Sequence, residues 1–569
     1  MAKNAPYPYD LGQYSRPVTT TSPEAQTWFD RGLVWCFAFN HEEAARCFAR
    51  ALVYDSSCAM AYWGIAYAVG PNYNKAWSRF DAADLEVSAA TARDALARAD
   101  QLSDGASSIE KALIQALGAR FPSAKVAANP SREGSGPTAW NQAYADAMAE
   151  VYTRFGADDL DVAAFYAEAL ICMRPRQLWD LDTGEPTTRD TTDARAAIEE
   201  ALGREGGHGH PGLNHLYIHL MEMSSTSHLA LPAADRLRTL APDGSHLEHM
   251  ATHIDVAVGD YRHAIESNRR VAASDDAYFA RDSASVLYKA YRTHNLSALA
   301  YAAMMAGRSA DAISAARHLR SILTPELLSI QSPPMVDWVE FQGGILVHAL
   351  IRFGRWDDIL ALELPEDQAL WGITTATTHY GRAIALGVLN RRQEARAAQK
   401  TFEEARKAIP KERRWGVTST ASQVLAVASR LCEGELTYRE GHHGPAFKLL
   451  VEAVELEDAL PYSDPPNWMQ PVRHALGALL LEQGHATEAE DVYRDDLGIG
   501  QRLARRKARI NNVWGLHGLH ESLIKNGNTE DAWAVSLQRD IAVASADVPI
   551  AASCFCRVSV VGVEGSACC

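Results

Sequence analysis

Two histidine pairs separated by a fixed interval constrain the fold of this chain more than any other feature of its sequence. The fragments His215-Leu-Tyr-Ile-His219 and His249-Met-Ala-Thr-His253 share the His-x-x-x-His spacing, and each member of the second pair follows its counterpart by 34 residues. Residues four apart lie on one face of an α-helix, one turn from each other. A repeated interval of this length is typical of proteins built from stacked copies of one small unit. The sequence therefore predicts two consecutive helical repeats that present the same histidine pair.

The rest of the chain carries the same kind of repeat. Helical periodicity is nearly continuous from Pro23 to Ala544, and strand signals are few. A glycine followed five residues later by an alanine recurs at Gly259–Ala264, Gly307–Ala312 and Gly484–Ala489, with looser copies at Asn390–Ala395 and Gly527–Ala532. Each of these stretches is typical of a turn that leads into a second helix.

The positions of the aromatic and small residues add a family resemblance. The residues concerned in the first repeat are Trp28, Gly32, Trp35, Ala44, Phe48 and Ala51. They fall on the signature positions of the tetratricopeptide repeat, which the chain resembles over most of its length. The resemblance implies an all-α, tetratricopeptide-type solenoid of helical hairpins with a concave ligand-binding surface, and a long array of this kind can close into a toroid.

Some stretches resemble a narrower group of bacterial and fungal tetratricopeptide proteins that have paired His-x-x-x-His helices. Besides the two histidine helices, these stretches are Phe39–Ala44, Met60–Gly64, Gly70–Asn74 and Thr293–Asn295. The resemblance implies no particular activity.

The tetratricopeptide register predicts a set of side chains that face one groove. In such arrays the first helix of each repeat lines the concave surface, and the register places seven polar side chains there: His215, His219, Glu222, His246, His249, His253 and His294. Clustered imidazoles are hard to satisfy in an apolar core, and they repel one another when protonated. A shared cation removes both problems. We therefore predict a metal site with all of these residues except His294 as ligands.

Several chemistries remain open for such a site. Imidazole binds Fe, Cu and Zn alike, and the nearly all-histidine set favours Fe or Cu, with Zn possible. Glu222 is expected to be a ligand or a catalytic base, and His294 an outer catalytic residue. The predicted function is a metal-dependent enzyme, an oxidoreductase acting on a small molecule in the groove. The alternatives are a scaffold that binds a peptide or protein partner in that groove, and a zinc-dependent hydrolase or lyase.

Composition limits the partners and the compartment. A formal net charge of −16 argues against nucleic acid as a partner over most of the surface. The nine cysteines are scattered without a Cys-x-x-Cys pair, which favours a reducing, cytoplasmic location. No signal peptide or membrane span is expected. The final Cys568-Cys569 is expected to be unmodified rather than lipidated.

The predicted organisation has five parts: an N-terminal extension (1–22), N-terminal helical repeats (23–205), histidine-rich repeats (206–320), C-terminal helical repeats (321–544) and a tail (545–569). Single histidines elsewhere are expected to be ordinary core residues, namely His41, His228, His263, His379 and His517. The aromatic, proline-marked stretch Pro461–Trp468 predicts a tight connection between repeats, or alternatively a cover over the groove.

Overall fold

A computed structural model describes residues 7–121, 136–282, 285–500 and 502–557. The chain forms two compact units. The first comprises Met1–Ile254 and Arg270–Arg292, and the second comprises Asp255–Arg269 and Thr293–Cys569. The divisions between the units therefore fall inside residues 206–320, which the sequence predicts as one block. The start of the N-terminal extension (1–6) and the end of the tail (558–569), with its Cys568-Cys569, lie outside the described residues.

The first unit is an array of α-helices. Its complete helices are α1 (Pro23–Phe37), α2 (His41–Tyr54), α3 (Ala59–Val69), α4 (Ala82–Gln101), α5 (Ser108–Arg120), α6 (Pro137–Phe155), α7 (Leu160–Ile171), α8 (Arg189–Leu202), α9 (Pro211–Met221) and α10 (Leu231–Leu240). Consecutive helices pack as pairs, α1 with α2 through α9 with α10. Three further helices contribute residues to both units: α11 (Ser245–Val258), α12 (Tyr261–Arg281) and α13 (Val286–Met305).

The second unit is also helical. Its other helices are α14 (Ser309–Ile322), α15 (Pro325–Leu328), α16 (Met335–Val339), α17 (Ile345–Arg352), α18 (Trp356–Ala361), α19 (Gly372–Val388), α20 (Arg392–Ala408), α21 (Ala421–Arg439), α22 (His443–Asp458), α23 (Val472–Glu482), α24 (Ala486–Asp496), α25 (Val513–Lys525) and α26 (Thr529–Ser545). Two short antiparallel strands, β1 (Arg414–Trp415) and β2 (Ser419–Thr420), are the only strands among the described residues. Paired packing recurs from α19 with α20 to α25 with α26.

Glycines allow the paired helices to approach closely, as the repeat motif requires. In the first unit, a Cβ atom at Gly32 or at Gly64 would lie 2.6 Å from the Phe48 ring, so the ring of α2 fills the space left by glycines on α1 and α3. In the second unit, a Cβ at Gly477 or Gly518 would overlap the Tyr493 ring. The same aromatic-between-glycines arrangement therefore holds hairpins together in both units.

The turns between paired helices also follow the sequence motif. A left-handed backbone conformation, with φ from +59° to +82°, occurs at each residue that opens a predicted turn: Gly259, Gly307, Asn390, Gly484 and Gly527. Glycine and asparagine tolerate this conformation, which ends a helix and lets the chain reverse. The all-α, tetratricopeptide-type architecture of helical hairpins is thus confirmed.

Two cysteines near the end of the described chain are bonded to each other. Cys554 and Cys556 form a disulfide. The free thiols among the described residues are all buried, and they belong to Cys36, Cys47, Cys58, Cys172 and Cys432. In the described part of the chain, every helix is too short or too polar to cross a bilayer.

Candidate metal centre

Two helices of the first unit carry the predicted ligands. Helix α9 begins after His210, whose Nδ1 accepts a hydrogen bond from the backbone N–H of Leu213 at 3.1 Å. Proline at the first helical position fits this start, because its missing N–H has no intrahelical role there. The helix then presents His215 and His219 on one face and ends at Met221, with Glu222 as its C-terminal cap. Helix α11 carries His246, His249 and His253, so the structure brings all six predicted ligands into one unit.

Three of the imidazoles lie close enough together to hold one metal ion. The potential ligand atoms of His215, His219 and His246 all lie within 4.8 Å of one another, and each residue is about 1% exposed. Nitrogens bound to one tetrahedral zinc ion are roughly 3.4 Å apart, given metal–nitrogen bonds of about 2.0–2.1 Å. Side-chain rotations that move the ligand nitrogens by about an ångström would therefore bring the three imidazoles to coordination distance.

The hydrogen bonds orient two of these rings. His215 Nδ1 lies 2.6 Å from the Phe37 carbonyl oxygen, and His219 Nδ1 lies 3.0 Å from a Glu222 carboxylate oxygen. An oxygen acceptor requires each Nδ1 to carry the proton, which leaves the lone pair on Nε2. Neither Nε2 has a hydrogen-bond partner among the described residues. Oxygen-anchored Nδ1 atoms with open Nε2 lone pairs are the arrangement that metal-binding histidines commonly show.

Glu222 links the trio to the other two histidines. Its second carboxylate oxygen lies 2.6 Å from His253 Nδ1, and His253 Nε2 lies 3.1 Å from His249 Nε2. Burial would raise the pKa of Glu222, but His253 and His219 hold that pKa well below its usual range. Glu222 is therefore an anion that holds two imidazoles by their Nδ1 atoms.

Burial favours the neutral form of two of these imidazoles, those of His215 and His219. Loss of solvation lowers the pKa of His215 well below its usual value, and the nearby His219 lowers it further. Burial also lowers the pKa of His219, although Glu222 opposes the shift. A neutral imidazole is the form that binds a metal.

Aromatic rings that the register does not assign to the site enclose the trio. The Phe39 ring centre lies 4.5 Å from that of His215, 5.6 Å from His219 and 5.3 Å from His246. Tyr73 lies 4.4 Å from His219. Both aromatic residues belong to stretches that resemble the narrower tetratricopeptide group, so that resemblance is the signal that marks them.

Phe39 has an unusual backbone. It stands five residues before Ala44, at the turn position that glycine fills in other hairpins, and its φ is +54°. A bulky residue in this left-handed conformation is an outlier that costs about 1–2 kcal/mol. Such strain is concentrated at functional sites. Phe39 therefore combines a strained backbone with a ring that touches three candidate ligands.

Six other histidines carry a prediction from the sequence. His294 belongs to the second unit and is half-buried there. His41 is buried with its Nδ1 2.7 Å from the Ala68 carbonyl oxygen, as expected of a satisfied core residue. The same expectation is wrong for His228 and His263, which are both exposed: His228 lies in the connection before α10, and His263 lies in the first turn of α12. His379 is buried, and His517 is half-buried.

Comparisons with known proteins add little to this geometry. No family model matches the chain, and no curated protein matches it. Among solved structures, a monomeric mutant of IFIT1 with m7Gppp-AAAA is similar with a TM-score of 0.35 and 11% identity, over 90% of this chain and 96% of that one. Naa15/Naa10 bound to HypK-THB is similar with a TM-score of 0.22 and 12% identity, over 92% of this chain and 72% of that one. At these TM-scores neither structure informs the site.

Proposed function

We propose that the first unit binds a transition-metal ion through buried imidazoles. The observation that carries the proposal is the pair of oxygen-anchored rings of His215 and His219, whose Nε2 atoms have no hydrogen-bond partner among the described residues. Potential ligand atoms of these two rings and of His246 lie within 4.8 Å of one another. A cation would satisfy these lone pairs, which otherwise lose the solvation of bulk water without compensation. His249 and His253 are the further ligands proposed, for the same ion or for a neighbouring one.

The proposed chemistry is that of a metal-dependent enzyme acting on a small molecule. Imidazole ligands suit Fe, Cu and Zn, and we favour oxidative chemistry at Fe or Cu because the set is almost entirely histidine. Hydrolysis or elimination at Zn is the alternative. We propose that Glu222 orients His219 and His253 rather than binding the metal, since its two oxygens are engaged by their Nδ1 atoms. We also propose that the chain belongs to the bacterial and fungal group with paired His-x-x-x-His helices, on the strength of the stretches that resemble that group.

Metal analysis of protein purified without a histidine tag tests this proposal. We expect about one equivalent or more of Fe, Cu or Zn per chain. His219→Ala and His253→Ala should each lose the metal, because removing one ligand leaves the cation underbound. The matched control is His263→Ala, which removes an exposed imidazole and should keep the metal. Metal-free wild-type protein that also fails to bind added Fe, Cu and Zn would contradict the proposal.

A second candidate function, a scaffold for a protein partner, is favoured by the last described helix. Trp533, Leu537 and Ile541 recur every four residues on α26 and are 68%, 52% and 75% exposed. Residues four apart form one stripe on a helix, and many helices of the array pack against the helix that follows them in the chain. We propose that an amphipathic helix of a partner protein packs on this stripe.

Selection from a displayed library of amphipathic helices tests the scaffold. Helices enriched on the wild-type protein should bind Trp533→Glu at least tenfold more weakly, because the substitution places a charge in the centre of an apolar contact. The control is Val53→Glu, at an exposed valine in α2. Failure to enrich any helix, or equal binding to both variants, would contradict this candidate.

A further inference from the structure

Tyrosine and tryptophan rings of the first unit form a continuous row from the surface to the histidine trio, which we call the aromatic row. From the surface inward, its members are Trp28, Tyr7, Tyr9, Trp35, Tyr278, Tyr288 and Tyr291. The first three rings are half-buried, and the other four are buried. All seven residues belong to the first unit. The row thus joins the solvent to a candidate metal ligand, His246, which Tyr291 contacts.

The outer half of the aromatic row begins in the N-terminal extension. The ring centre of Tyr7 lies 5.0 Å from that of Trp28 and 5.2 Å from that of Tyr9. Tyr9 in turn lies 5.6 Å from Trp35 and 5.4 Å from Tyr278. Trp35 lies 5.9 Å from Tyr278, and its Nε1 donates a hydrogen bond of 2.6 Å to Tyr7 Oη. Two parallel routes, one through each of Tyr9 and Trp35, therefore lead inward as far as Tyr278.

The inner half of the row has a single route. The ring centres of Tyr278 and Tyr288 lie 5.2 Å apart, and those of Tyr288 and Tyr291 lie 6.0 Å apart. Tyr291 lies 4.8 Å from the His246 ring. Among the described residues, Tyr288 is the only tyrosine or tryptophan whose ring contacts both Tyr278 and Tyr291. Passage along the row therefore depends on Tyr288.

Two tyrosines of the row have proton acceptors in place. The Tyr7 hydroxyl donates to a Glu43 carboxylate oxygen at 3.0 Å. Ser245 Oγ donates to Asp275 at 2.5 Å, so it accepts a hydrogen bond from Tyr288 Oη, which lies 2.7 Å away. A phenol that loses an electron also releases its proton, and a hydrogen-bonded acceptor takes up that proton inside the protein. Tyr7 and Tyr288 are therefore built to be oxidised reversibly.

Packing alone does not explain why the inner rings carry polar groups. Aromatic rings at these separations are ordinary in protein cores, and phenylalanine would fill the same space. A buried hydroxyl has to be satisfied, or it costs about 1–3 kcal/mol. Tyrosine and tryptophan share one property that phenylalanine lacks, which is that they readily lose a single electron. A row made only of these two residue types therefore indicates electron transfer.

We propose that the aromatic row conducts single electrons from the proposed metal to a one-electron oxidant at the surface beside Trp28. The oxidant takes an electron from Trp28, and Tyr7 then refills Trp28. Trp35 refills Tyr7, and Tyr288 refills Trp35 across the ring of Tyr278. The indoles keep their protons, whereas each oxidised tyrosine passes its proton to its hydrogen-bonded acceptor and recovers it when it is refilled.

An electron from the metal restores the innermost tyrosine, Tyr288, by way of His246 and the ring of Tyr291. The oxidant has then gained one electron, the metal has lost one, and every proton of the row is back in place. This role suits Fe or Cu, because Zn has no redox chemistry of its own. The proposal rests on the metal proposal, which supplies the electron donor at the inner end of the row.

A photo-oxidant attached beside Trp28 tests the row in metal-free protein. Thr27 is exposed, so a ruthenium polypyridyl can be attached to Thr27→Cys in a full chain that also carries Cys568→Ser and Cys569→Ser. The other cysteines are buried thiols or disulfide partners and should not react. A light flash with an external electron acceptor should oxidise Tyr288, detected by mass spectrometry. The reference is Tyr144 on α6, which is as deeply buried but lies outside the row, and its oxidation should be at least tenfold lower.

A second measurement follows the electron from the metal site. With one equivalent of Cu(I) bound to the labelled protein, the flash should produce the electron paramagnetic resonance signal of Cu(II). Tyr288→Phe keeps the ring but removes the readily oxidised group, so it should slow the appearance of Cu(II) at least tenfold. The matched control Tyr144→Phe removes a buried hydroxyl outside the row and should leave the rate unchanged.

The two measurements separate a failure of the row from a failure of the metal site. Oxidation of Tyr288 no greater than that of Tyr144 in metal-free protein would overturn the proposal. Formation of Cu(II) as fast in Tyr288→Phe as in the labelled parent would overturn it as well. Strong oxidation of Tyr288 in a chain that binds no copper would support the row as a conductor and contradict the metal proposal alone.

Discussion

At the scale of single residues, Phe39 connects the repeat turn to the histidine trio. Its ring packs against three imidazoles, and its backbone keeps the left-handed conformation that glycine or asparagine adopts in the other turns. We expect Phe39→Gly to lower the free energy of unfolding by less than the 3–5 kcal/mol typical of a buried phenylalanine truncation. Glycine adopts the left-handed conformation without strain, so the substitution removes a backbone strain of about 1–2 kcal/mol from the folded state. Denaturant titration checks this.

The reference for that measurement is Phe29→Ala, at a fully buried phenylalanine with an ordinary helical backbone in α1. Phe29→Ala should show the full loss of unfolding free energy that is typical of truncating a buried phenylalanine. Equal losses at the two positions would mean that the Phe39 backbone stores no strain. Phe39→Leu, which keeps an apolar side chain, should fold but bind metal more weakly, because the ring that shields the imidazoles is gone.

Glu222 supports a second residue-scale prediction. Its carboxylate accepts from both His219 and His253, whereas an amide has one acceptor oxygen and one donor nitrogen. Glu222→Gln should therefore force one histidine into the other tautomer and weaken metal binding by about 10–100-fold. Competition with a chelator of known affinity measures the change. Complete loss of the metal in Glu222→Gln, as severe as in His219→Ala, would instead assign Glu222 as a direct ligand.

Sequence spacing is sufficient to predict which histidines share a face, because four residues make about one helical turn. It cannot predict that Phe39 and Tyr73 touch those histidines. These contacts join residues more than 140 positions apart in the chain, and they depend on how separate hairpins stack. Nor does spacing reveal that Nδ1 atoms engage both Glu222 oxygens, since side-chain rotamers decide that.

At the scale of helices, small residues set how closely neighbours pack. Gly64 on α3 faces the Phe48 ring, so a methyl group there must displace the ring. We expect Gly64→Ala to lower the free energy of unfolding by about 1–3 kcal/mol. Gly118 on α5 is exposed, and a methyl group there would meet no atom within 4 Å, so Gly118→Ala should instead raise it by about 0.5–1 kcal/mol. Thermal or denaturant unfolding distinguishes the two signs.

The same packing rule explains what the sequence can predict at this scale. The turn motif, a glycine followed five residues later by an alanine, has a fixed spacing, and so do the aromatic positions. The hairpins and their left-handed turns are therefore predictable. The short helices α15 to α18 between Pro325 and Ala361 follow no such spacing. Their bounds depend on tertiary contacts, which a local pattern does not contain.

For the molecule as a whole, metal binding should contribute to stability. A metal that binds only the folded state raises the free energy of unfolding by mass action, about 2.7 kcal/mol at a concentration one hundred times the dissociation constant. Verified removal of the metal by a chelator should therefore lower the melting temperature by several degrees. His219→Ala should melt at the same temperature with and without chelator. An unchanged wild-type melting temperature would show that the site does not stabilise the fold.

Stability should also depend on pH through a buried acid of the second unit. Burial raises the pKa of Glu435 on α21 to about 7 from the ordinary 4.5, against the opposing attraction of Arg439. Between these two values the unfolded chain has lost a proton that the folded chain retains, so the contribution of Glu435 to stability is present below pH 4.5 and is lost as the pH rises to about 7. A neutral glutamine removes this titration.

Glu435→Gln should therefore gain stability relative to the wild type as the pH rises. The difference in unfolding free energy between variant and wild type should be on the order of 2 kcal/mol larger at about pH 8 than at about pH 5, since one pKa unit corresponds to about 1.4 kcal/mol. Glu366→Gln, at an exposed glutamate of the same unit, is the control and should leave the pH profile unchanged. Parallel profiles for Glu435→Gln and the wild type would mean that Glu435 ionises in the folded protein as it does in the unfolded chain.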